Sequence, residues 1–193
     1  MLQIHTYKNQ EQNMKWTIKA SNYIVKDRWI SLRADECQMP DGRIVAPFYV
    51  YEYPDWINVV PVTDSNEIIL IRQYRHGIQD VILELPSGVV DPDETDPSIT
   101  AQRELLEETG FESTTIIPLS KLYPNPDKQT NAVHAFLALH AVCKQEQTLD
   151  ESEHIEVVNV PMNEIHSLLK HNKIPQAMHV AALFHALTYL DTM

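Results

Sequence analysis

Two rhythms of apolar residues divide this chain. From Trp16 to Tyr53 the apolar positions come in short groups rich in β-branched and aromatic residues: Trp16-Thr-Ile-Lys, Tyr23-Ile-Val and Trp29-Ile-Ser-Leu-Arg-Ala. A turn at Pro40-Asp41-Gly42 leads into Ile44 through Tyr53, so the last runs predict a hairpin. Three or four short strands form a small antiparallel sheet that is marginal alone and needs cover from the main domain or a second subunit. Residues 1–14 are polar and are expected to be poorly ordered.

Pro54-Asp55 predicts a boundary, giving an N-terminal β-sheet region over 1–54 and a main domain over 55–193. Beyond it, Ile57–Val62 and Glu67–Gln73 predict strands around the turn Asp64-Ser65-Asn66, and Val81–Leu85 predicts another, ending at Pro86. Asp96 and Pro97 then read as the cap and first residue of a helix. Gly110 stands where that helix would stop. Strands follow at Ile116–Tyr123 and Ala135–Val142, flanking the loop Pro124–Asn131. A polar loop, Lys144–His154, precedes a strand over Ile155–Val160. Two helices close the chain, Met162–His171 and Pro175–Leu190. In the last, Val180, Leu183, Phe184, Leu187 and Leu190 follow helical spacing and are expected to be core. The order of elements predicts an α+β fold, a mixed sheet flanked by helices.

Composition narrows the partners. The chain has 193 residues and a formal charge of −12, without a run of Lys or Arg, which argues against a nucleic-acid surface. An acidic protein that acts on phosphates needs metal ions to reverse the local sign. Cys37 and Cys143 are too few for a disulfide framework and have no CxxC spacing, as expected of reduced thiols in a cytoplasmic protein. No basic-then-apolar leader opens the chain, and no apolar run approaches the roughly 18 residues of a membrane span. The expected chain is cytoplasmic, without a membrane or nucleic-acid partner.

The candidate chemistry lies in Gly88-Val-Val-Asp-Pro-Asp-Glu94, followed by Arg103-Glu104-Leu105-Leu106-Glu107-Glu108-Thr109-Gly110-Phe111. Helix positions advance by about 100°, so Glu104, Glu107 and Glu108 fall within one arc of roughly 100°. Ala101 and Leu105 point more toward the core. Like charges at i,i+4, placed near a helix C-terminus, oppose helix stability by a few tenths of a kcal/mol. A solvated acidic face is the ordinary reading of such a run. The glycine bend at Gly88, the preceding Pro86 and the flanking Arg103 favour cation binding instead. Oxygen ligands of this kind suit Mg²⁺ or Mn²⁺, and the Ser87 backbone carbonyl is the simplest further ligand.

Gly-x5-Glu…Arg-Glu-Leu-x-Glu-Glu-x-Gly-Phe resembles the signature of the Nudix hydrolases, which cleave nucleoside diphosphates linked to another moiety. The resemblance implies an αβα sandwich and a divalent metal held by Glu104 and Glu108, with Glu107 as a further ligand or water-positioning group. It also implies that Arg103 orients a glutamate rather than touching substrate. One departure exists: eight residues separate Glu94 from Arg103 where the family pattern has seven. The extra residue falls around Thr95–Pro97 and leaves the helical spacing intact.

Ile71-Arg72-Gln73-Tyr74-Arg75 and Glu84-Leu85-Pro86-Ser87-Gly88 are similar to segments of the ADP-ribose and nucleoside-diphosphate-sugar branch of that family, as is the small sheet ahead of the main domain. This implies a homodimer formed through the N-terminal sheet. It also implies a substrate site that includes Glu84 and Arg75, the latter as a phosphate contact; a surface arginine is the alternative for Arg75. Asp150-Glu151-Ser152-Glu153-His154-Ile155-Glu156 resembles the segment that carries the water-activating glutamate. Glu153 matches that position, with Glu151 and Glu156 as competitors. Trp56 is a candidate for stacking on a base, although an interface or core aromatic is the commoner role, as for Trp29.

The implied reaction is metal-dependent hydrolysis of the pyrophosphate bond of ADP-ribose or a related nucleoside diphosphate sugar. It would release a nucleoside monophosphate and a sugar phosphate. Two other readings stand beside it: a pyrophosphatase of nucleoside triphosphates or dinucleotides on the same scaffold, and a non-catalytic nucleotide-sugar sensor. The nine histidines show no HxH or HxxxH pair on a credible metal helix and read as surface or core groups.

Overall fold

The computed structural model describes residues 14–151 and 153–192, so nearly all of the polar start lies outside the described residues. The chain separates into two units, 1–53 with 125–131, and 54–124 with 132–193.

The first unit is a three-stranded antiparallel sheet in the order β1 (Thr17–Lys26), β2 (Ser31–Gln38), β3 (Ile44–Tyr51). Sequence spacing divides Trp16–Val25 into two apolar runs, but the structure makes one strand of ten residues. Pairing with β2 continues through the polar Ser21 and Asn22, with register breaks between Ile18 and Ala20 and between Tyr23 and Val25. The apolar alternation therefore slips while the ladder goes on, and Ser21 is anchored by donating to Asp35 at 2.5 Å. The β2–β3 hairpin forms at the expected turn, where Gly42 sits at φ 89° and donates to the Met39 carbonyl. Residues 125–131 join this sheet rather than the larger one: Tyr51 donates to Lys128 O at 2.7 Å, and Thr130 donates back to Tyr51 O at 3.1 Å.

The second unit is built on a seven-stranded mixed sheet. Its path runs β12 (Ile155–Pro161), β5 (Glu67–Arg75), β4 (Trp56–Val62), β10 (Val133–Leu139), β9 (Thr115–Leu122). β6 (Asp80–Glu84) pairs with β5, and β7 (Ser87–Val89) pairs with β4. The β4–β10 pair is parallel; the other pairs are antiparallel. Successive side chains of a strand face opposite sides, and both sides are covered here. Ile57 and Val59 of β4, with Phe136 and Ala138 of β10, pack on Ala101 and Leu105 of α1 (Pro97–Thr109). Val60, Val62, Ala135 and Leu137 face the other way, onto Ile165 of α2 (Met162–Lys170) and Ala182, Leu183 and Ala186 of α3 (Ala177–Leu190). This is the expected αβα sandwich. Fully buried anchors such as Leu105 and Leu183 contribute about 1.5–3 kcal/mol each.

Three local features differ from the sequence reading. In α3, Leu183 is buried and Leu187 and Leu190 pack against the core, but Val180 is 37% and Phe184 63% exposed. The helix is apolar almost all round, so spacing cannot select a face; close approach to the sheet selects the small Ala182 and Ala186 instead. Second, a pair of two-residue strands, β8 (Phe111–Glu112) and β11 (Val142–Cys143), follows α1. They are too short to leave an alternating signature. Third, Ser87–Val89 is not a glycine bend but extended backbone, with Gly88 opposite Ile57.

Candidate active site

α1 is placed by its ends. Asp96 caps it, its side chain accepting from the Ser98 N–H at 3.0 Å, and Pro97 follows. Gly110 ends it at φ 75°, donating to Leu106 O at 2.8 Å. Gly110 has a second constraint, since a Cβ there would collide with the Gln145 carbonyl.

That collision marks a strap. The segment after β11 crosses the C-terminal end of α1 and satisfies its last carbonyls. Lys144 donates to Gly110 O at 2.8 Å, Thr148 donates to Glu107 O at 2.9 Å, and the Gln147 amide donates to Glu108 O. The same strap carries Glu153, whose Oε2 accepts from Asp150 N at 3.1 Å. The negative charge of Glu153 acts on both Glu104 and Glu108. Glu156 is turned elsewhere, to Arg72 at 2.6 Å.

The three carboxylates of α1 form a gradient from buried to exposed. Glu108 is 4% exposed and accepts the Ser87 backbone N–H at 2.8 Å. Burial, reinforced by Glu104 and Glu153, pushes its carboxyl up to about 8 despite that bond. Glu104 is partly buried, and burial with Glu107 and Glu153 nearby pushes it up to about 7 against the pull of Arg103. Its carboxylate lies against Gly88, where a Cβ would overlap it. Gly88 is needed for that close approach, not for a turn. Arg103 Nη1 stands 3.0 Å from Glu104 and 2.9 Å from Glu107, and Nη2 stands 3.7 Å from Asp91. Glu94 accepts from the Thr100 hydroxyl, at the opposite end of the helix.

Among the described residues, no three His, Cys, Asp or Glu side chains converge tightly enough to cage an ion as they stand. The guanidinium of Arg103 supplies the positive charge between Glu104 and Glu107. The donor set nevertheless fits a hard divalent cation: oxygen donors only, with Glu104 and Glu108 held above their ordinary range chiefly by burial and further by neighbouring negative charge.

Beside this row lies a cavity of about 680 Å³, lined among others by Trp56, Arg75, Glu84, Ser87 and Gly88. Ser87 and Gly88 are thus shared between the cavity and the carboxylates. Arg75 donates through Nε to Glu84 at 2.6 Å, and Glu84 is 1% exposed. Burial raises the Glu84 carboxyl, opposed by Arg75. Trp56 lines the cavity wall, whereas Trp29 is 75% exposed with the Arg28 guanidinium over its ring. Sequence reasoning passed over Asn58 and His179, which line the same cavity. His179 sits inside an apolar helix, and that misplacement of a polar residue was its one visible signal.

Fold and site define a class: an αβα sandwich that gathers desolvated carboxylates on one helix beside a cavity. The NUDIX domain model matches residues 53–182, and the Nucleoside diphosphate sugar hydrolase N-terminal domain model matches residues 16–51. The chain belongs to the Nudix hydrolase family. It is 30% identical over 159 residues to an ADP-ribose pyrophosphatase of Bacillus subtilis (strain 168), covering 82% of this chain and 85% of that one. It is 29% identical over 169 residues to the methanol dehydrogenase activator of Bacillus methanolicus, covering 86% and 89%. A solved structure of an ADP compounds hydrolase superimposes with a TM-score of 0.82 at 25% identity, covering 92% of this chain and 95% of that one. This family works with a divalent metal. No helix among the described residues is long and apolar enough to cross a membrane.

Proposed function

We propose that this protein hydrolyses the pyrophosphate bond of ADP-ribose or a related nucleoside diphosphate sugar, releasing a nucleoside monophosphate and a sugar phosphate. The observation that carries the reading is the row Glu104–Glu107–Glu108, with Glu104 and Glu108 raised by burial, adjoining a cavity through Ser87 and Gly88. The N-terminal domain match and the B. subtilis relative support the substrate class.

Glu104, Glu108 and Glu107, with the Ser87 carbonyl, would hold Mg²⁺ or Mn²⁺. Such an ion, when bound, would supply positive charge against the diphosphate and would lower the pKa of a water for attack on phosphorus. Arg103 holds Glu104 and Glu107 in register. Glu153, on the strap across α1, takes the proton of the attacking water. Arg75, fixed by Glu84, reaches the substrate phosphates, and Trp56 offers a flat wall to the base.

The active form is a homodimer assembled through the N-terminal sheet, working in the cytoplasm. All ten residues of β1 are exposed; Ile18, Tyr23, Ile24 and Val25 on it, and Trp16 just before it, contribute apolar surface at the sheet edge. Light scattering should give twice the 22.2 kDa chain mass. Product analysis across nucleotide sugars, nucleoside triphosphates and dinucleotides, with and without Mg²⁺ or Mn²⁺, decides the reaction. Metal-dependent monophosphate release from ADP-ribose is expected. Preferential cleavage of triphosphates, or binding of nucleotide sugars without turnover, overturns the reading.

A further inference from the structure

Two buried side chains outside the carboxylate row line the same cavity: Asn58, whose amide nitrogen is buried without a partner, and His179, whose ring is hydrogen-bonded through Nδ1. His179, in the first turn of α3, is 2% exposed, and its Nδ1 accepts the Leu85 backbone N–H at 3.1 Å. A ring nitrogen that accepts carries no proton, so the neutral imidazole is protonated on Nε2. Burial, with Arg75 nearby, holds His179 down at about 3, which keeps it neutral. With Nδ1 taken by Leu85, Nε2–H is the ring's remaining donor beside the cavity. Asn58, on β4, is 3% exposed, and its Nδ2 has no partner. Unpaired buried donors are uncommon in folded proteins and mark a place for an acceptor from outside the fold.

The third polar group decides what that acceptor is. Glu84 gives Oε2 to Arg75, while Oε1 lies 3.9 Å from His179 Nδ1. Phosphate oxygens only accept, so of these polar groups Arg75 and the two neutral donors suit them, while the Glu84 carboxylate does not. A hydroxyl both donates and accepts. Two neutral donors beside a carboxylate acceptor therefore match a ring with neighbouring hydroxyls. The apolar walls from Ile57, Ile82, Val133 and Met178 suit the faces of such a ring.

We infer that this cavity binds a hydroxylated sugar ring, with His179 Nε2–H and the Asn58 amide donating to ring hydroxyl oxygens and the Glu84 carboxylate accepting a hydrogen bond from a ring hydroxyl. The inference deepens the proposed function and rests on it for the substrate. His179 and Asn58 become specificity residues that read the sugar, separate from the groups that handle phosphate and water.

The test uses the whole chain and follows the His179 side-chain nitrogens by ¹⁵N NMR. Ribose 5-phosphate or AMP should shift the Nε2–H resonance, the responding probe telling which half of the substrate lies there. The 2-deoxy form of that probe should bind about tenfold more weakly, and inorganic phosphate should leave the resonance in place. In kinetics, His179→Phe should raise KM for ADP-ribose about tenfold with kcat nearly kept. His179→Gln, which can still accept from Leu85 and donate to the cavity, should restore most of the loss. Asn58→Leu should shift KM in the same direction and covers the case in which His179→Phe does not fold. An unmoved resonance at saturating ribose 5-phosphate and AMP, with ADP-ribose still cleaved, overturns the ring site alone. An equal response to inorganic phosphate overturns it in favour of an anion site. A shifted resonance with no nucleoside diphosphate sugar cleaved keeps the ring site and overturns the function proposed above.

Discussion

α1 and α3 pack on opposite faces of one sheet, and each buries a titratable side chain, but they treat it in opposite ways. α1 carries Glu108, a charge-seeking acceptor whose neighbours Glu104 and Glu153 are also negative. The hydrogen bond it accepts from Ser87 does not offset burial. α3 carries His179, which the fold satisfies on one side by Leu85 and holds neutral. On the proposed reading, the acidic region of α1 takes a cation, and the neutral donors beside α3 take an uncharged, acceptor-bearing group. The two helices would then divide metal and substrate recognition between the two faces.

The sharpest way to break this contrast is to neutralise α1. Glu108→Gln should lower kcat on the order of 10³-fold. The melting temperature should stay level or rise, because an amide carries no buried charge and can still accept from Ser87. Turnover that survives would remove the carboxylate row from the mechanism. Next comes the strap: Glu153→Gln should reduce kcat by about 10²–10⁴-fold with KM little changed. An unchanged kcat would pass the proton-accepting role to Glu151.

Linkage to protons separates the helices further. The carboxyls of Glu104 and Glu108 stand at about 7 and about 8, above the ordinary value of 4.5. The metal-free fold therefore holds protons that the unfolded chain has lost, and its stability falls as pH rises through 7 and 8. The ion must displace those protons, so magnesium affinity by calorimetry should climb from pH 6 to 8 and level off above. A pH-independent affinity would place the ion elsewhere.

The sign reverses for His179, depressed to about 3 from an ordinary 6.5. Its contribution is present above 6.5 and lost as pH falls toward 3, since the unfolded chain takes up the proton first. Urea unfolding of His179→Gln between pH 6 and 4 should show a shallower loss than the parent, by about 1.4 kcal/mol per pH unit. Equal slopes would mean that His179 titrates freely in the fold.

Much of α1 was legible because its signals are local. Asp96-Pro97 and Gly110 act through bonds within a few residues, and the spacing of Ala101, Leu105 and Glu108 follows from helical rotation alone. Six strands of the seven-stranded sheet were legible for the same reason, their apolar runs standing between turn residues; β7 was not, because its glycine read as a bend. α3 was legible as a helix but not as a packed surface, since an almost uniformly apolar sequence names no face. The role of Gly88 was misread because a glycine looks the same whether it frees a turn or clears space for Glu104.

The sequence by itself determined the order of the longer strands and helices, the carboxylate row and the family, since each rests on residues close in the chain. Only the tertiary structure decided which carboxylate is buried, how the strap brings Glu153 toward Glu104 and Glu108, and that Asn58, Glu84 and His179 share a cavity. Those depend on which surfaces meet across the sheet, and desolvation exists only once they have met.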